Sequence, residues 1–187
     1  MTKLNNGSEL LNAKINEMVA KVNDYETLGQ GVSKKTANGY KRTIPFLEAL
    51  ETACYDNDIM LDVRSTDNLG VITEATVKAL LGKGNSKSGA RETDLITGGK
   101  RFEIKLLIKG SSSYPSSLDL ETKEDVLIIS NLGAYILRNE DIKTAHKQGY
   151  FKARETKLKP TILDSGLLTE TAFTERLTSE WALNTWV

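Results

Sequence analysis

Two adjacent glycines, Gly98 and Gly99, separate Leu95-Ile96 from a run in which Phe102, Ile104, Leu106 and Ile108 alternate with other residues. Gly-Gly between two β-prone stretches predicts a tight hairpin, because both central residues of a type I′ turn take positive φ. With these two as the loop, Thr97 pairs with Lys100, Ile96 with Arg101, Leu95 with Phe102 and Asp94 with Glu103. Directly opposed residues share a face, with Cβ atoms about 4.5–5.5 Å apart. Lys105 lies two residues beyond Glu103 and points the same way. One face (Phe102, Ile104, Leu106, Ile108) is then committed to packing under a helix, and the other carries two carboxylates and an ammonium. Glu92 and Arg101 fall on the charged face as well.

Two carboxylates facing each other repel and cost stability. A divalent cation reverses the sign of that cost. Hard oxygen ligands from two acidic groups, with water positions left for a substrate phosphate, suit Mg²⁺. A lysine beside the metal can steady an attacking water or the phosphate, which completes the equipment for metal-assisted phosphodiester hydrolysis. The competing reading is an ordinary surface hairpin whose exposed face carries mixed charge.

Asp94, eight intervening residues, and then Glu103-Ile104-Lys105 resembles the core motif of the PD-(D/E)XK nuclease superfamily. The proline that precedes the aspartate in that family is Thr93 here. Many members carry a glutamate on the preceding helix, and Glu74, within Ile72-Thr73-Glu74-Ala75-Thr76-Val77, occupies that place. Glu-X-Lys also occurs at Glu121/Lys123 and Glu155/Lys157, but only Glu103/Lys105 sits in an alternating apolar strand after a glycine turn. The resemblance covers about residues 68 to 140.

The resemblance implies an α/β fold: a restriction-endonuclease-like core with a central mixed β-sheet flanked by helices, plus an N-terminal helical pair. It implies Asp94 and Glu103 as metal ligands, Glu74 as a further ligand, and Lys105 as the group that orients water or stabilises the transition state. Mg²⁺ would be the cofactor, with Mn²⁺ able to substitute. The implied activity is that of an endonuclease acting on double-stranded DNA, of type II restriction type and working as a homodimer. The alternatives are a structure-specific nuclease of Holliday junction or repair type, and a non-catalytic nucleic-acid-binding module with a degenerate site.

Composition bounds this picture. The 187 residues carry 25 basic and 25 acidic side chains, so any surface for nucleic acid must be a local patch. One cysteine, Cys54, and one histidine, His146, exclude a disulfide framework and a Cys/His zinc site. His146 lies among Lys143, Lys147 and Gln148 with no nucleophile motif nearby, which argues against a histidine-based triad. No apolar run approaches the length of a membrane span, and Met1 to Gly7 lacks a signal-peptide core. The expectation is a cytoplasmic protein with no membrane partner.

Along the chain, residues 1–62 read as an N-terminal helical segment packed on the core, a buttress or a dimer element. Residues 63–187 read as the nuclease-like α/β core with a C-terminal helix, and the whole as a single domain. Helical periodicity predicts a helix over 8–25 capped by Ser8, with Leu11, Ile15, Met18 and Val22 inward. Ser33 to Arg42 reads as a polar, basic connector, either a solvated loop or a loop that grips phosphates. Thr43 is expected to cap a second helix with Pro45 in its first turn. A third helix runs from Asp67 or Asn68 to Leu81, with Val71, Val77, Leu80 and Leu81 inward. A basic loop, 82–90, precedes the hairpin and is no P-loop. Val126 to Ile129 is an unbroken apolar run, as expected of a strand buried on both faces. Ala134 to Leu137 is the next strand, and Asn139 caps a helix to Lys147. The family's helix between these strands is either displaced to 117–125 or replaced by a hairpin. Residues 149–160, with Lys152, Arg154, Lys157 and Lys159, read as a phosphate-tracking segment or a lysine-guarded edge strand. Thr169 is expected to cap a last helix with Phe173, Leu177 and Trp181 on one stripe.

Overall fold

Two long helices open the chain, and a small clasp ties their far ends together. The computed structural model describes residues 4–81, 93–97, 99–110, 117–152 and 156–171. Strand β1 (Asn5–Asn6) pairs antiparallel with β2 (Met60–Leu61). Helix α1 (Gly7–Leu28) starts where the Asn6 side chain accepts from the Glu9 N–H at 3.1 Å. Ser8 is therefore not the cap. It sits in the first turn, buried, and its hydroxyl donates to the Glu51 carboxylate of the next helix. Gly29, at φ 65°, ends α1 in the left-handed conformation.

The basic stretch after it is no connector. Helix α2 (Lys34–Asp56) begins at Ser33, whose side chain accepts from the Thr36 N–H at 3.2 Å. Lys34, Lys35, Lys41 and Arg42 thus lie on a helix. Asn38 and Gly39 are poor helix formers, but Ala37, Gly39 and Thr43 are buried, and burial overrides propensity. Thr43 is inside the helix, its hydroxyl bonded to the Gly39 carbonyl at 2.8 Å. Pro45 falls mid-helix, where its missing N–H leaves the Lys41 carbonyl without its helical donor.

Helix α3 (Leu69–Leu80) is capped by Asn68, which accepts from the Val71 N–H at 3.0 Å. Its buried face is Ile72, Thr73, Thr76, Val77 and Leu80, whereas Val71 is 40% exposed. Two threonines occupy positions where an apolar count looks for aliphatics. Thr76 hides its hydroxyl on the Ile72 carbonyl at 2.8 Å.

The main sheet has the order β3-β4-β5-β6-β7. Strand β3 (Leu95–Thr97) pairs antiparallel with β4 (Lys100–Leu107) in the expected register, Leu95 against Phe102 and Thr97 against Lys100. Gly99 has φ 73°. Strand β5 (Asp125–Ser130) runs parallel to β4, with Glu103 beside Val126 and Lys105 beside Ile128. Strand β6 (Gly133–Leu137) returns antiparallel to β5, so these two form a hairpin. Residues 117–124 hold no helix. Strand β7 (Thr169–Glu170) closes the sheet against β6, so Thr169 is a strand residue and not a helix cap. The stripe of Phe173, Leu177 and Trp181 lies outside the described residues, as do the 82–90 loop and Arg154.

Val126, Leu127, Ile128 and Ile129 are all buried, as their unbroken apolar run predicts. One sheet face joins Phe102, Ile104, Leu127 and Ile129 to Leu11, Leu47 and Val77 in a single core, so the N-terminal helices pack on the sheet. The opposite face joins Leu107, Val126, Ile128 and Leu137 to Ile142, Phe151, Leu158 and Ile162. Helix α4 (Asn139–Lys147) belongs to that second layer and has no local side-chain cap. Asp125 of β5 supplies the acceptor instead, taking the Asn139 N–H at 2.9 Å and the Arg138 guanidinium at 2.8 Å. Phe151 and Leu158 form an antiparallel bridge, and the Lys152 N–H donates to the Lys157 carbonyl at 2.9 Å. No helix among the described residues is long and apolar enough to cross a membrane.

Candidate metal centre at the hairpin

The charged side of β4 is built by alternation. Phe102 and Ile104 enter the helical core, so Glu103 and Lys105 project from the other face, that of Leu107. Lys105 is only 8% exposed, unusual for a lysine. Its Nζ stands 2.5 Å from Glu103 Oε1. Burial holds the Glu103 carboxyl above the usual carboxylate range. The Lys105 ammonium pulls against that rise, and the negative charges of Asp94 and Glu124 add to it.

Asp94 sits one residue before β3, at a bend, and is not itself a rung of the ladder with Glu103. Its Oδ2 accepts the Ile104 N–H at 2.9 Å. A carboxylate thus takes the place of the backbone acceptor where strand pairing stops, and the same contact fixes the acid beside Glu103's strand. Its Oδ1 lies 3.5 Å from Lys78 Nζ on α3. That ammonium is also 2.6 Å from Glu74 Oε1. Glu74 is therefore joined to Asp94 through Lys78, and among the described residues no three acidic, histidine or cysteine side chains converge on one point.

Two participants escape a reading of the motif alone. Lys78 had a local signal, since a glutamate four residues before a lysine forms a helix-face pair. Glu124 had none. It reaches the site because β5 aligns parallel to β4 across residues 108–124, and it accepts the Thr93 hydroxyl at 2.5 Å. Thr93, at the position of the family's proline, is buried. Arg101 is exposed on the turn side, and Glu92 lies outside the described residues. His146 is exposed on α4 and touches Phe151, with ring centroids 5.3 Å apart.

The donor set fits a hard cation. Asp94 and Glu103 offer oxygens only, and each carboxylate keeps lone pairs beyond the contacts above. Mg²⁺ takes one or two carboxylates and keeps several waters. The negative charge that raises the Glu103 carboxyl is charge such an ion would offset. Comparison with family models, with curated proteins and with solved structures found no match to this chain.

Proposed function

We propose that this chain is a Mg²⁺-dependent nuclease that hydrolyses phosphodiester bonds in double-stranded DNA, on a restriction-endonuclease-like core. The observation that carries the reading is the buried Lys105 held against Glu103, with Asp94 and Glu124 adding negative charge beside it. A lysine in so enclosed a place costs desolvation, and phosphate chemistry gives that cost a use. When bound by Asp94 and Glu103, Mg²⁺ supplies Lewis acidity and neutralises charge that develops on the phosphate. Lys105 donates to the attacking water or to a phosphate oxygen and stabilises the pentavalent transition state. The Ile104 N–H holds Asp94 in orientation. Lys78 pairs with both Glu74 and Asp94, and Glu74 would add a further ligand or hold Asp94 in position through that lysine. A cut of both strands calls for two such sites, hence a homodimer.

One observation favours a second reading. Each carboxylate of the hairpin already has a lysine beside it, Lys78 for Asp94 and Lys105 for Glu103. Such a site is balanced without any cation, as in a non-catalytic nucleic-acid-binding module. Plasmid cleavage separates the two. Asp94→Asn is the proper variant, because its amide oxygen can still accept the Ile104 N–H. With Mg²⁺ or Mn²⁺, wild type should nick or linearise supercoiled DNA. Asp94→Asn, Glu103→Gln and Lys105→Met should each lose about 10²–10³-fold in rate with unchanged circular dichroism. Cleavage that survives all three substitutions refutes the site. No cleavage of duplex, single-stranded or branched DNA, together with no Mg²⁺ or Mn²⁺ heat on titration, selects the module.

A further inference from the structure

A groove of about 390 Å³ opens between the first turns of α2 and the end of β4, lined by Lys34, Lys35, Asn38, Arg42 and Gly110. Three of its five lining residues are cations and none is acidic. That is notable in a chain with equal numbers of basic and acidic residues. Among the described residues, Lys34, Lys35 and Arg42 form no ion pair. Some other surface lysines do (Lys21 with Glu17, Lys41 with Glu26, Lys109 with Asp164, Lys143 with Glu121), whereas the scattered Lys100, Lys123 and Lys147 also form none; what sets the groove apart is three such cations side by side. Positions 34, 38 and 42 fall four residues apart, so they line one face of α2 over about 12 Å. Gly110, at φ 87°, forms the other wall. An Arg42 guanidinium nitrogen lies against the point where a Cβ on Gly110 would stand, so that side chain crosses closely over the turn after β4.

We infer that this groove is a second phosphate-binding site, one that grips the backbone of a duplex at a distance from the hairpin. The inference rests on the nuclease reading for its choice of nucleic acid. The cations form a line, not a cup. A free phosphate is best held by donors that converge, whereas a line of about 12 Å can follow successive phosphates of one strand. Asn38 supplies an uncharged donor between the cations, the kind of group that contacts phosphate oxygens. Gly110 is five residues past Lys105 on the same chain segment, about 17 Å in extended conformation. The groove is bordered by α2, which packs on the sheet face opposite the one from which Glu103 and Lys105 project.

The test is equilibrium binding of a fluorescent duplex across a salt series, with Ca²⁺ replacing Mg²⁺ so that the substrate stays intact. All three cations are exposed on a helix, and alanine is a better helix former, so Lys34→Ala/Lys35→Ala/Arg42→Ala should keep its melting temperature. The triple variant should lower the slope of log K against log salt by about one per residue and weaken binding at least about tenfold in low salt. Lys143→Ala/Lys147→Ala, on α4, should leave the slope as in wild type. An unchanged slope in the triple variant overturns the proposal, as does a wild type that binds no duplex. Binding of anionic lipid vesicles through the same three residues, without duplex binding, overturns it too. The two readings fail separately. Duplex bound through the groove with no cleavage keeps the groove and removes the nuclease. Cleavage with a groove-independent salt slope does the reverse.

Discussion

Glu103 is the residue on which charge and stability meet. Its carboxyl is held above the usual range chiefly by burial, so the folded chain binds a proton more tightly there than the unfolded chain does. The sign follows directly: the favourable contribution is complete below the ordinary carboxylate range and is lost as pH rises through the raised value. A cation bound by the ionised form repays part of that loss. Thermal melts should show Mg²⁺ raising the melting temperature near neutrality and having little effect in acid, where the carboxyl is protonated. Glu103→Gln should abolish the Mg²⁺ effect. An Mg²⁺ shift of the same size in the variant would place the ion elsewhere. At this scale the sequence was informative: Asp94, Glu103 and Lys105 lie within one hairpin, and a glycine pair fixes their register. Glu124 was invisible because its position depends on a strand alignment that no local spacing encodes.

Helix boundaries show what local signals can and cannot carry. Asn68 and the start of α3 were legible, since an asparagine cap precedes a clear apolar period. The start of α2 was not. Pro45 and Thr43 look like an opening turn, but the buried face of Ala37, Gly39 and Thr43 extends the helix back to Lys34. The cap of α4 comes from Asp125 on β5, so Asn139 misled for the same reason: the acceptor is distant in sequence. The clasp of β1 and β2 also depends on a close approach. Gly7 donates to the Ile59 carbonyl at 2.8 Å. A Cβ on Gly7 would stand 3.1 Å from that carbonyl oxygen, 3.2 Å from Cys54 Sγ and 3.3 Å from Leu61 Cδ1. Gly7→Ala should therefore destabilise the fold by about 1–3 kcal/mol through overpacking, read as a lower urea midpoint with unchanged slope. Gly29→Ala, which meets no neighbour within 4 Å but sits at φ 65°, is the comparison for backbone strain without crowding. An unaffected midpoint in Gly7→Ala would mean that the clasp yields.

For the molecule as a whole, the doubly buried β5 followed from apolar patterning and the α/β class was expected from the resemblance, while strand order was not legible. The sequence left open whether the strands 126–129 and 134–137 flank a displaced helix or form a hairpin, and the hairpin is what forms. Both hairpins of the sheet close over short loops, but the parallel seam of β4 with β5 must bring together segments separated by residues 108–124, and β7 must reach β6 across a longer stretch still. Non-local pairing sets the pace of folding, because the closure entropy is spent before contacts compensate for it. Time itself is therefore written into that seam: trimming a methyl group at Ile128, within β5, should slow refolding, whereas the same trim at Ile15, on α1, should chiefly hasten unfolding. Stopped-flow chevrons of Ile128→Val and Ile15→Val would read this directly, and the opposite partition would move the rate-limiting event to the helices. The seam that aligns Glu124 with the hairpin acids then forms at the rate-limiting step, and the acidic site takes shape before the last helical contacts close over the core.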